Sequence, residues 1–412
     1  MMTKKQFEKL IGEKLFEKEG KLVYDGDLNF WDIKAVTELP NNLKVLGSLN
    51  LRNSGVTKLP KGLEVEDWLC ISDTEIEELP EDTKFGGSLY VSNMKKPFSF
   101  PKVLKVNGNF KCIATDIKRM SEKLYVNLFC DLLESTFDKL PKAMKVGEGL
   151  YLAKTPITEL PKGIKEVYNN LDVYNTKISK LNDNLVVYGC FVLGNTQIEE
   201  LPKGLIVGGE LDLRDTNFRD YSNLHKVCSE FIIDKGKYDE IKDSLFEHSK
   251  RNLWGEVRIT FEPNYNGAYL FENENGKYIN ADGILAKIIE QKGNVYHVKL
   301  DGSKVITYLI TDGEGRWSHG DILEEAKNDL IYKITDRDKS DYEGLTLDGE
   351  LSFNDAIVCY RVITGACSFG TRDFIENRLG ENKKDKYTIK EIINLTEGEY
   401  GNNIFKDFFC KD

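Results

Sequence analysis

The side chains of this chain whose types and spacing offer chemistry collect in two stretches. The first is Thr311-Asp312-Gly313-Glu314-Gly315-Arg316-Trp317-Ser318-His319-Gly320-Asp321, a glycine-rich segment that the pattern reads as a turn opening a helix. The first turn of a helix leaves amides unpaired and carries a partial positive charge, so an anion could sit there beside Arg316. In the plainer reading Asp321 caps the helix, His319 bonds locally and the glycines make the turn. The second stretch runs from Cys359 to Arg372 and sets Arg361 and Arg372 on either side of a Gly-x-Cys-x-x-Gly turn between helices. Two guanidiniums so placed could clamp a carboxylate or a phosphate. Cys367 could serve as a nucleophile with His319 as its base, given a lowered thiol pKa. A structural turn with paired arginines accounts for the same residues with fewer demands. None of the eight cysteines forms a C-x-x-C pair and no Cys/His spacing resembles a zinc site, so neither a metal nor a cofactor is expected. Reduced, structural thiols are the reading for Cys70, Cys112, Cys130, Cys190, Cys228, Cys359, Cys367 and Cys410.

The elements that must position these groups follow from periodicity. Short β-type runs at 257–261, 268–271, 284–289, 295–300 and 305–310 are punctuated by Asn and Gly, which predicts hairpins of an antiparallel sheet. From Asp321 the period becomes helical, at 321–334, 352–363, 371–379, 388–396 and 402–409. Thr388 and Glu391 have the spacing of a capping box. Strands followed by helices predict an α+β domain over 253–412, with its sheet in 253–312 and its helices in 321–409.

Upstream the chain is organised differently. From Leu39 to Asp220 a Leu-Pro step or a close stand-in recurs every 20 or 21 residues, at Leu39, Leu59, Leu79, Phe100, Met120, Leu140, Leu160, Leu181 and Leu201. Each of these nine units approximates L-P-x-x-L-x-V-x-G-x-L-x-L-x-x-T-x-I-x-x. A fixed period in this range marks a solenoid. Within a unit G-x-L-x-L alternates with period two, which predicts a short strand with its leucines inward and strands stacked as a parallel sheet. Proline lacks the amide hydrogen and ends each ladder segment. One column carries hydroxyls: Ser54, Thr74, Thr115, Ser135, Thr155, Thr176, Thr196 and Thr216, interrupted by Met94. It predicts a ladder in which each hydroxyl bonds the turn backbone of its neighbour, the alternative being a local turn preference.

A solenoid exposes its core at both ends and needs caps. Residues 1–38 are read as the first, an amphipathic helix over 3–18 (Phe7, Leu10, Ile11, Leu15, Phe16) followed by a degenerate repeat. Residues 221–252 are read as the second, a closing helix from Tyr238 to His248 and a linker. The fold class expected is therefore a repeat β-solenoid with a helical N-terminal cap, joined to an α+β domain.

The nine units resemble the leucine-rich-repeat family, in particular the short bacterial type whose units also carry Leu-Pro. They depart from it in having Thr or Ser where that family usually has Asn. The resemblance implies that the sheet face binds a protein partner. The region from Trp317 to Phe409 looks like a module found behind such repeats in bacterial and phage proteins, to which no activity is attached.

The alternation says which side chains would do the binding. Outward positions are Trp68, Tyr90, Phe129, Tyr151 and Tyr174, with Arg52, Lys111, Asp131, Asp172, Glu210, Asp212 and Arg214. Aromatic rings with arginine are typical interface anchors. A slip of one residue would turn the whole set inward. The net charge is −11, and residues 221–412 hold 35 acidic and 26 basic side chains, leaving 33 and 31 for the first 220. Neither part has the Lys and Arg excess that phosphate neutralisation requires, so nucleic acid is disfavoured as a partner. No apolar run approaches the roughly 20 residues of a membrane span and no secretory signal opens the chain, so a cytoplasmic protein without a membrane contact is expected.

The expected function is protein binding through the solenoid face, with the C-terminal domain as second contact or effector. A reading from another class makes that domain an enzyme or small-anion receptor using Arg316, His319, Arg361, Cys367 and Arg372, with a small-molecule ligand. A third makes the chain a phage or mobile-element antagonist of a host factor such as a defence protein, its acidic C-terminal half facing a basic surface.

Overall fold

The computed structural model describes residues 2–245, 248–253, 255–300, 305–334, 338–380 and 383–410. The chain divides into two compact units, Met1–Phe261 and Glu262–Asp412.

The first unit is a parallel β-solenoid of about 11 turns. The leucine that follows the repeat glycine sits at one register position in every coil. Leu28, Leu49, Leu69, Leu89, Phe110, Cys130, Leu150, Leu171, Phe191, Leu211 and Phe231 align across parallel strands. From Leu49 to Phe231 this column is 0% exposed, which makes it the spine of the core. A second parallel ladder uses the L-x-V of each unit, for example Val103–Val106, Lys123–Val126 and Ala143–Val146. Glycine between the two ladders marks coils whose backbone comes close to a neighbour's, while the same place in other coils holds Leu46, Glu66, Asn107 or Asn127. A Cβ on Gly86 would lie 2.0 Å from the carbonyl oxygen of Glu66, and one on Gly147 would lie 1.9 Å from that of Asn127.

Each coil turns out of the core strand through one left-handed residue. Asn53, Asp73, Asn93, Ala114, Glu134, Lys154, Asn175, Asn195 and Asp215 all have φ between 47° and 60°. Asn and Asp tolerate this region best, which explains six of the nine. The reversal brings the hydroxyl of the next residue back onto its own coil, and this corrects the expected ladder between neighbours. Thr74, Thr155, Thr176, Thr196 and Thr216 donate to the carbonyl three residues earlier at 2.6–2.8 Å. Only Thr115 and Ser135 donate to the coil before, to Val91 O at 2.9 Å and Cys112 O at 2.7 Å. Ala114 has no side chain that favours its φ of 47°. Ala114→Gly is expected to raise unfolding stability by about 0.5–1 kcal/mol, the left-handed penalty less the added entropy of the unfolded chain. An unchanged or lower midpoint in denaturant would contradict this.

The ends differ from the sequence expectation. The N-terminal helix is Lys4–Ile11, because Gly12 closes it in the left-handed conformation; Phe7 alone is buried and meets Phe30 at 6.0 Å. Phe16–Lys18 then forms a hairpin with Lys21–Tyr24 through Glu19 and Gly20, both at positive φ. At the far end the array continues one coil further, through Cys228–Asp234. The helix expected over 238–248 is Lys235–Ile241, and the closure is made by strands: Glu256–Phe261 runs antiparallel to Cys228–Asp234, and His248–Leu253 adds to its outer edge. The run at 257–261, expected in the following sheet, thus belongs to the solenoid unit.

The second unit is α+β. Six antiparallel strands follow in sequence order: Tyr269–Asn273, Gly276–Ala281, Ile284–Lys292, Val295–Lys299, Thr307–Thr311 and Trp317–Gly320. The helix Leu323–Ile334 sets Ala326 and Leu330 against Ile310 of this sheet. Helices Phe353–Thr364, Ile389–Leu395 and Asn402–Phe409 form a second core around Cys359, Tyr360, Ile363 and Phe405, while Ser368–Phe374 sets Phe369 against the sheet core. Thr388 and Glu391 close a reciprocal capping box. Among the described residues no helix is long and apolar enough to cross a membrane.

Candidate partner-binding face

The side chains on either side of the buried column form the outer face of the main sheet. Trp68, Tyr90, Phe129 and Tyr151 are half-buried there, while Tyr174 is exposed. The rings pair between neighbouring coils: Trp68 meets Tyr90 edge-on at 6.1 Å, and Phe129 meets Tyr151 tilted by 42° at 6.1 Å. These ring contacts restrict the rotamers in advance, which lowers the entropy lost when a partner covers them.

Parallel register places the charged residues in one column. Lys111, Asp131, Tyr151, Asp172, Val192 and Asp212 occupy successive strands. Burial pushes the Asp131 carboxyl above the usual range, against the pull of the Leu133 amide and of Lys111. Burial also raises Asp172, and the like charges of Asp212 and Asp131 add to it, against the Tyr174 amide. Tyr151 is raised chiefly by burial as well. At the end of the column the chain supplies its own cations. Arg214 bridges Asp212, at 2.6 Å, and Glu256, and Arg258 meets Glu210 at 2.6 Å. Arg52 is exposed at the other end and reaches Asp73 at 2.8 Å. Sequence reasoning missed Glu230 and Arg258, since both lie past the last recognised unit. The signal was present: Phe231 falls 20 residues after Leu211.

The residues singled out in the second unit are placed otherwise than the sequence suggested. Trp317–Gly320 is the last strand of the sheet and not a helix-opening turn. Asp321 precedes the helix, and its carboxylate receives Arg372 at 2.8 Å, while the same guanidinium reaches Glu325 at 2.7 Å. Arg361 pairs with Asp329 at 3.0 Å and donates to Ala366 O, and Arg316 pairs with Asp312 at 3.1 Å. All three guanidiniums therefore face carboxylates of their own unit, and an anion would have to displace those carboxylates first.

Cys367 and His319 do come together, but not as nucleophile and base. Cys367 is 4% exposed, and its sulfur receives the amides of Gly370, at 3.2 Å, and of His319. Burial raises the thiol pKa despite nearby Lys333, so the group stays protonated at neutral pH. The imidazole of His319 is fully buried, stacks on Phe369 at 5.7 Å, and makes no hydrogen bond through either ring nitrogen among the described residues. Burial first, then Lys333, drives its pKa to about 3. Beside it Lys333 reaches Asp282 and the Trp317 carbonyl, and lies over the Tyr400 ring at 4.3 Å. Neither Lys333 nor Asp282 was legible as part of this cluster, because they sit on elements 51 residues apart. All eight cysteines are free thiols, and among the described residues no group of three or more His, Cys, Asp or Glu could hold a metal ion.

No family model, no curated protein and no solved structure matches this chain.

Proposed function

We propose that this chain is a protein-binding module of the leucine-rich-repeat-like kind, acting through the outer face of its main solenoid sheet. The observation that carries the reading is a continuous parallel sheet with two aromatic pairs in contact between coils, Trp68–Tyr90 and Phe129–Tyr151, each side chain half-buried. Scattered surface hydrophobics need no explanation, but rings aligned on one sheet face are what an interface core requires. Eleven coils at a strand spacing of about 4.8 Å give a face roughly 50 Å long, ample for a standard interface. The test exchanges Tyr90, Tyr151 and Tyr174 for alanine together. The wild-type chain is expected to retain a defined protein from lysate that the triple variant, melting at the same temperature, does not. Identical sets of retained proteins would refute the reading.

A further inference from the structure

We propose that the occupant of this face is a basic protein segment, whose Arg or Lys side chains lie on the carboxylate column between the coils of Asp131 and Asp212. The inference rests on the protein-binding reading and adds the chemistry of the partner.

The column itself poses the problem. Asp131 and Asp172 stand two strands apart, about 10 Å by strand spacing, with the Tyr151 ring between them. Each is half-buried, and each accepts the amide two residues on: Leu133 N at 3.1 Å for Asp131 and Tyr174 N at 2.8 Å for Asp172. That bond uses one lone pair of the four on each carboxylate. Lys111, one strand from Asp131, is exposed and stands at the edge of the column. Unit 1 as a whole is close to neutral, with 40 acidic and 38 basic side chains in residues 1–261, so its net charge alone would not draw a cation.

The same column shows how it is satisfied when a cation is present. Two strands beyond Asp172, Asp212 is covered by the Arg214 guanidinium, and Glu210 beside it by Arg258. Those two arginines come from the end of the array. The coils of Asp131 and Asp172 present the same carboxylate at the same register with no arginine on them. The neighbouring rings of Phe129, Tyr151 and Tyr174 offer π faces to the stem and head of an Arg or Lys. A segment in polyproline II conformation, with three residues per turn, sets cationic residues three apart on one side about 9 Å from each other, close to the Asp131–Asp172 separation. Nucleic acid and anionic lipid are repelled by the same column.

The test uses the full chain and a fluorescent deca-arginine peptide, followed by anisotropy. Asp131→Asn with Asp172→Asn keeps the bond to the amide two residues on, so the variant is expected to fold as the wild type does. Glu122→Gln with Glu159→Gln, both exposed and off this face, removes the same net charge and is the control. Affinity is expected to fall about tenfold or more in the aspartate variant only, and to weaken with salt in the wild type. Equal affinity of the two variants would overturn the proposal. Should the tyrosine variant lose its natural partner while the aspartate variant keeps it, the binding reading stands and the basic occupant falls.

Discussion

Acidification from pH 6.5 towards 3 will destabilise residues 262–412 by about 1.4 kcal/mol per pH unit through a single side chain, His319. The imidazole is 0% exposed, and burial together with Lys333 holds its folded pKa near 3. Unfolded, the same ring takes up a proton near its ordinary value of about 6.5. Between those values the unfolded chain binds more protons, so stability falls as pH falls; above 6.5 the ring contributes no pH dependence. The charged and titratable groups around it are Lys333, the Asp282 carboxylate paired with that lysine, and the Cys367 thiol, none of which offers the imidazolium a counter-ion to spare. Carboxylates held low, such as Glu325, where the Asp321 amide and then Arg372 outweigh burial, lose stability in the same direction but at lower pH. The difference between wild type and His319→Leu isolates the ring. Urea unfolding of the second unit, followed across pH 4–7 by site-specific labels, should show the variant losing a slope of about one proton. Parallel profiles for the two proteins would sink the idea.

Phe110→Ala is expected to cost about 3–5 kcal/mol. Phe110 is fully buried at the middle of the array, where its ring meets Phe100 at 5.4 Å and Phe100 meets Phe98 at 4.9 Å. Neighbouring coils carry Leu89 and Cys130 at this position, so the core column holds no ring beside it to refill the space. Each coil of a solenoid contacts only its neighbours, and the damage should therefore be local. Hydrogen exchange is expected to accelerate first in the coils from Leu89 to Asp131 and to stay unchanged in residues 262–412. A loss below about 1 kcal/mol, or acceleration spread evenly over the chain, would show that the aromatic cluster is not the keystone of these coils.

The outer columns of the solenoid were open to sequence reading because the same physical demand recurs in every coil. An apolar residue at the core position recurs in all coils, and an Asn or Asp before the hydroxyl in six of nine. Alternation then assigns Tyr90, Asp131, Tyr151 and Asp172 to the open side. The hydroxyl column was legible as a feature but not in its bonding, since its own coil and the coil before both offer a carbonyl within reach. In the second unit the helices were placed to within a few residues, and Thr388 was readable as a cap because its partner Glu391 lies three residues away. The strand at Trp317–Gly320 was not readable: Trp-Ser-His-Gly has no β-branched residue, and it is a strand because Thr307–Thr311 lies alongside it.

From its sequence alone this chain has a repeat period, the identity of its inward and outward columns, and an α+β region after them. Those follow from interactions within one coil or one helical turn, which local residues enforce. Tertiary structure decided where the array ends, by laying Glu256–Phe261 against its last coil. It decided that Arg316, Arg361 and Arg372 each face a carboxylate of their own unit. It also decided that His319 and Cys367 meet through a backbone amide and not through the ring. Except for Arg316 and Asp312, four residues apart, these outcomes depend on which distant segment lies alongside, and no local pattern encodes that choice.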